Sequence, residues 1–219
     1  MDEKETGRIE AFSDGVFAVA ITLLVLNIQP PKEFPLDDFG LLGKIFGEQW
    51  SIYLAFLISF FTIGVMWINH HRLFTHIKRT DNTLLLLNLL LLLIIVFVPF
   101  PTVLVAEYFI VPGNHVAALI YSGTCIVLAV CFNLLWRYAS HENRLLDSNI
   151  DQEAVQFITR QYRYGPLFYV VTFAIAFFST PACMVVNMLL ALFFALPARK
   201  KKAAKGDIGQ DGEQRLINR

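Results

Sequence analysis

Residues Arg8 to Gln29, RIEAFSDGVFAVAITLLVLNIQ, join a charged opening to an apolar run that only Thr22 interrupts between Gly15 and Leu26. As a helix rising ~1.5 Å per residue, Ala11 to Ile28 covers the ~30 Å hydrocarbon core of a bilayer. The stretch predicts a first membrane-spanning helix with Asp14 just inside one boundary. An ionisable side chain at that depth is costly unless it faces protein or water, which makes Asp14 a candidate functional residue.

At ~100° per residue, with Val19 as zero, Phe12 falls near about +20°, Leu23 near about +40° and Leu26 near about −20°, a narrow apolar stripe. Asp14 falls near about −140°, so a stripe facing a symmetry axis turns the aspartate toward other helices of its own subunit. Arg8 lies too far round the helix to pair with Asp14, because such pairs need a spacing of three or four residues.

The residues Arg8, Phe12, Ser13 and Asp14 spell R-x-x-x-F-S-D. This resembles the signature that opens the first helix of the transmembrane protein 175 family of potassium channels, found in endosomes, lysosomes and prokaryotes. A single copy of the motif in a chain of this length is similar to the prokaryotic form. The resemblance implies an all-α, polytopic membrane protein with six transmembrane helices per subunit, assembled as a homotetramer whose first helices line a central pore. It implies that rings of apolar side chains, at Val19, Leu23 and Leu26 here, form the constriction. Val19 stands where the family pattern has a larger isoleucine. On periodicity alone, the same stripe reads as lipid contact or ordinary helix packing.

Composition supports a membrane protein. Of 219 residues, 56% are hydrophobic and 16% charged, too apolar for an ordinary soluble domain. The first apolar run lacks a small-residue cleavage pattern and is expected to be retained. Cys125, Cys131 and Cys183 all fall in apolar segments, where they read as small hydrophobes. No P-loop, dinucleotide fingerprint or H-E-x-x-H occurs, and no enzyme, cofactor or nucleic-acid partner is expected beyond a permeant potassium ion. The basic cluster Arg199 to Lys205 follows a membrane segment and has no interleaved aromatics.

After Pro30 and Pro31, Leu36 to Phe46 predicts a short interfacial helix. Further spans are expected at Gln49–Asn69, Thr83–Ala106, His115–Trp136, Tyr164–Ser179 and Pro181–Leu196. Pro99 and Pro101 should kink the third span, and Arg137 to Arg163 should form helix, turn and interfacial helix. A channel domain would then occupy residues 1–197 and a basic, disordered tail residues 198–219. The loops after the first, third and fifth spans hold only Lys32 and Lys44 of the eighteen Lys and Arg residues. That asymmetry puts both termini in the cytoplasm of a protein in the plasma membrane.

With this topology, Trp67, His70, His71 and Arg72 end the second span at the depth of Asp14. The pattern W-x-x-H-H-R-L-F also resembles the family's second-helix ending. A buried carboxylate needs hydrogen bonds or a cation, and the Trp67 N–H, a histidine, Arg8 or Arg72 would serve. Together with the motif residues these make an inner clamp on the first helix; as a plain reading, they contact lipid headgroups. A metal on the two histidines is disfavoured because adjacent helical residues diverge by ~100°. Ser13 reads as packing. Thr22 borders the stripe, either offering a hydroxyl to an ion or bonding back to its own helix. Asn88 and Asn187 read as amides bridging helices. Glu33, Asp37, Asp38, Glu48 and Glu107 would attract cations to the outer mouth or stand as solvated charges. The competing function is a proton- or ion-coupled transporter that titrates Asp14 with His70 or His71, and a membrane-embedded enzyme ranks last.

Overall fold

The structure is a computed structural model that describes residues 3–30, 38–109, 111, 115–147 and 150–195. Among the described residues the regular elements are helices, with one isolated antiparallel bridge between Ile77 and Leu146, and the tail 198–219, with the acids Glu33 and Asp37, lies outside them. Helix α1 spans Glu3–Leu23 and tightens into a 3-10 turn over Leu24–Asn27, closed by a bond from the Ile28 N–H to the Val25 carbonyl. Helix α2, Asp38–Leu42, widens into a π-helical stretch, Gly43–Glu48. It falls on the expected interfacial segment and leaves Phe39 and Phe46 exposed, as a helix lying at a membrane surface requires. The expected start at Leu36 lies outside the described residues.

Helix α3, Trp50–His76, carries the expected second span and continues past Asn69 through the two histidines. Helices α4, Asn82–Phe97, and α5, Pro99–Tyr108, divide the expected third span at Val98. Pro99 has no N–H for the Ile95 carbonyl, which accepts from Val98 instead at 3.2 Å. Helix α6, Val116–Ser140, is followed by a 3-10 turn, His141–Asn143, in which Glu142 and Asn143 adopt φ of 54°. Helix α8 runs Thr180–Ala195.

The expected helix and turn follow Arg137, but the boundary expected at Arg163 is absent. The interfacial helix and the fifth span are a single helix, α7, Gln152–Ala176, with Pro166 inside it. A proline at 166 removes the donor that would satisfy the Tyr162 carbonyl four residues back and ordinarily breaks a helix. Here the Asn133 side-chain amide, from α6, donates to that carbonyl at 2.8 Å. The orphaned acceptor is met from the neighbouring helix, as a buried backbone carbonyl requires, and α7 runs through.

Four stretches are long and apolar enough to cross a membrane: Thr6–Asn27, Trp50–His76, Asn82–Tyr108 across the proline break, and Val116–Asn143. Helix α7 is polar in its first half, and α8 is a shorter apolar helix of 16 residues. Trp136, Tyr121, Phe17, Phe74 and Leu24 are fully buried in the core. Polar side chains join helices inside it. The Thr102 hydroxyl lies 2.6 Å from Ser59, and the Tyr121 hydroxyl donates to Thr62. Asn187 of α8 donates to Ser122 of α6 and accepts from Thr172 of α7, the bridging role its sequence position predicts. The three cysteines are buried free thiols.

The loops after α3 and α6 are strapped together. The N–H groups of Lys78 and Arg79 reach the Leu145 carbonyl, and the Asp147 N–H reaches His76. Asp81 caps α4 by accepting from the Leu84 N–H at 2.8 Å, and it also accepts from the Tyr138 hydroxyl at 2.6 Å and pairs with Arg144 at 3.3 Å.

Candidate functional site

Helices α1, α3 and α4 converge around the first-helix motif. Ser13, Phe17, Ala20 and Leu24 form the buried face of α1, with the three- and four-residue spacing of a helix packed against a core. On that face the Ser13 hydroxyl accepts from the Asn88 amide of α4 at 3.0 Å. The Asn88 carbonyl oxygen lies 2.9 Å from Nε2 of His70 on α3. All three residues are buried. His70 also packs between aromatic rings, 5.4 Å from Phe17 and stacked at 4.5 Å on Phe74. A three-helix chain of hydrogen bonds therefore begins at Ser13, the residue before Asp14.

Asp14 itself stays at the surface of the subunit, where Trp67 Nε1 donates to its Oδ1 at 2.8 Å. His71 stacks on the Trp67 ring at 6.3 Å. Neither histidine hydrogen-bonds to Asp14; of the partners the sequence allows, the indole fills the place. Arg72 turns to α8, donating to the Ala195 carbonyl at 3.3 Å, and reaches Asn69 at 3.5 Å. Arg8 and Phe12 are exposed, and among the described residues no ion pair joins Arg8 to Asp14. His70 and His71 point into different surroundings, and among the described residues no group of three His, Cys, Asp or Glu side chains is arranged to hold a metal.

The opposite face of α1 is bare. Phe12, Val19, Leu23 and Leu26 are 57%, 54%, 38% and 64% exposed, in a helix whose other face is sealed against the bundle. Ile21 instead packs on the core. The 3-10 turn alters the register of the stripe. In 3-10 geometry residues three apart eclipse one another, so Leu26 stands over Leu23 where a straight α-helix would set it about 60° away. Thr22 bonds back to its own helix, its hydroxyl donating to carbonyl oxygens of Ala18 and Val19 at 2.9 and 3.0 Å.

Two features escape a reading of the sequence. Asn88 registers there as a generic bridging amide, although its position as the one polar group in a leucine run marks it as important; its partners require the fold. The exposed face also carries Ala11, Gly15, Ala18 and Thr22 in line, and a Cβ added at Gly15 would meet nothing within 4 Å. Small residues at this spacing let helices approach closely.

The long apolar spans, the bridging amides and the sealed-and-bare first helix place this chain among polytopic α-helical membrane proteins. A family model described as "Endosomal/lysosomal potassium channel TMEM175" matches residues 8–99. A potassium channel of Chamaesiphon minutus is 49% identical over 89% of this chain and 96% of that protein, and one of Streptomyces collinus is 41% identical over 91% and 98%. An endosomal/lysosomal proton channel TMEM175 of Mus musculus is 31% identical over 72% of this chain and 32% of its own length. The crystal structure of a lysosomal potassium-selective channel TMEM175 homolog from Chamaesiphon minutus superposes with a TM-score of 0.78 at 47% identity, covering 88% of this chain and 97% of that one. This chain belongs to the TMEM175 family, whose members named above are channels and not enzymes.

Proposed function

We propose that the protein is a potassium-favouring cation channel, a homotetramer in which four copies of α1 surround a central pore. The observation that carries this reading is the bare apolar face of α1, joined to close relatives that are named potassium channels. A single stripe cannot enclose a conduit, so copies must meet around an axis. Val19, Leu23 and Leu26 then form stacked apolar rings. Such rings offer no hydrogen bonds to a hydrated ion and set the barrier by dewetting and dehydration, which costs potassium less than the more tightly hydrated sodium.

Ser13, Asp14, Trp67 and His70, joined by Asn88, act as the inner clamp, in which the Ser13–Asn88–His70 chain and the Trp67–Asp14 bond fix the rotation of α1 about its own axis, while His71 backs the Trp67 ring, Arg72 ties α3 to α8, and Arg8 and Phe12 stay exposed. The second half of α7 and α8 complete six spans as a short hairpin, and the distribution of basic residues puts both termini in the cytoplasm at the plasma membrane. The transporter alternative asks His70 to change partners during a cycle, whereas its ring is wedged between Phe17 and Phe74 and bonded to Asn88. The name of the mouse relative makes the proton the second ion to test.

Recording from purified protein in a planar bilayer tests the proposal. Unitary currents that reverse near the potassium equilibrium potential in a potassium/sodium gradient support it. Reversal that follows a pH gradient favours protons, and transport without unitary steps favours a carrier. Light scattering of the solubilised protein should give a tetramer, and a monomer at all concentrations contradicts the pore.

A further inference from the structure

Helices α3 and α8 touch at one end, where Arg72 donates to the Ala195 carbonyl. Toward the other end, where α3 starts at Trp50 and α8 at Thr180, they leave a cavity of about 550 Å³ between them. It extends from Trp50 to Phe61 along α3 and from Pro181 to Leu189 along α8, and apart from the Trp50 indole every side chain on its walls is apolar. Leu57 on one wall and Val185 on the other are about half exposed, so the cavity is a groove open to the side of the subunit.

We propose that this groove is a lipid site that holds an acyl chain from the leaflet in which α3 begins. Trp50 to Phe61 measures ~16 Å at 1.5 Å per residue, about half of the ~30 Å hydrocarbon thickness, so the groove runs the depth of one leaflet. An apolar groove one leaflet deep, open along its side to the bilayer, suits a single flexible chain lying along it. Trp50 stands at its mouth at the start of the span, the level at which indoles meet headgroups. Burial in a groove wins a lipid tail nothing by leaving water, since the bilayer is already apolar. The binding comes from dispersion contacts with walls that otherwise enclose a void.

Native mass spectrometry of the full-length protein, released from detergent after extended washing, tests the site. The wild type should retain a lipid-mass adduct. Val185→Trp and, independently from the other wall, Leu57→Trp push a rigid ring across the groove and should each reduce that adduct at least about tenfold, while Leu93→Trp, on the exposed face of α4, leaves it unchanged. Wild-type adduct levels in both groove variants overturn the proposal, as does wild type without an adduct. Loss of oligomer mass in Val185→Trp and Leu57→Trp with lipid retained assigns the groove to a second copy and also overturns it.

Discussion

The indole of Trp67 and the carboxylate of Asp14, on different helices, meet in a hydrogen bond of 2.8 Å at the subunit surface. Its acceptor carries a formal charge, and bonds to charged groups are the stronger kind. Trp67→Ala or Asp14→Asn should lower thermal stability by about 1–2 kcal/mol, toward the lower part of the range for charged hydrogen bonds because both groups keep some solvent. A thermal-shift assay checks this, and unchanged melting in both variants would mean that the pair merely touches headgroups.

The two faces of α1 separate pore lining from packing. Leu23→Ala or Leu23→Asn should widen and wet its ring, raising conductance and reducing potassium preference, because a wider polar ring passes sodium with its water. The same changes at Ile21, which packs on the core, should alter flux much less. Equal flux in the Leu23 and Ile21 series, at matched expression and tetramer content, would show that the stripe is ordinary packing.

Gly15 discriminates between subunit and assembly. Within one subunit a side chain there meets open space, and replacing a helical glycine with a better helix former stabilises by up to about 1 kcal/mol. If neighbouring copies of α1 approach along Ala11, Gly15, Ala18 and Thr22, then Gly15→Leu should keep the subunit folded and shift light scattering from tetramer to smaller species. A stable tetramer in Gly15→Leu would put the contact elsewhere.

The tie between α6 and α7 invites a double-mutant cycle. Asn133→Ala strips the Tyr162 carbonyl of its donor and should cost about 1–3 kcal/mol. In a Pro166→Ala background the restored N–H at 166 serves the same carbonyl, and the cost of Asn133→Ala should shrink to a few tenths. Additive effects measured by denaturation would dissociate the amide from the proline.

Asp81 supplies a pH dependence in the loop before α4. Desolvation works to raise its carboxyl, but the Tyr138 hydroxyl, the Leu84 amide and the Arg144 charge together hold it below the ordinary carboxylate value. A depressed folded-state value means its contribution is fully present above the unfolded value of ~3.9 and is lost as pH falls through the folded one. Thermal stability should therefore drop below about pH 4 in the wild type. Asp81→Asn, which preserves the helix cap, should flatten that drop. Identical acid profiles would assign the drop to other carboxylates.

The spans of α1, α3 and the α4–α5 pair were legible because apolar runs of bilayer length are nearly unambiguous, and Pro99 announced its own break. The single helix α7 was not. Its continuity depends on Asn133, a residue from another helix, and no window of local sequence contains both members of that pair. The same holds at the candidate site. The F-S-D motif and the histidines pointed to one inner depth, yet the choice of Trp67 over a histidine for Asp14, and of Asn88 as the link between Ser13 and His70, follows from how three helices are rotated against one another. The eclipsing of Leu23 and Leu26 was invisible for a different reason: a wheel drawn at constant pitch assumes away the 3-10 turn.

The donation from Asn133 to Tyr162 also constrains the order in which this chain can have acquired its residues. A proline arriving at 166 before an amide stood at 133 would have left a backbone oxygen bare inside the bundle. The amide arriving first would have been nearly harmless, with the Tyr162 carbonyl still bonded within its own helix. The permissive path therefore runs through the asparagine, and once the proline is fixed the asparagine can no longer be exchanged freely. Two positions far apart on the chain have become a ratchet, and relatives with proline at the position of 166 should carry a side-chain donor at the position of 133.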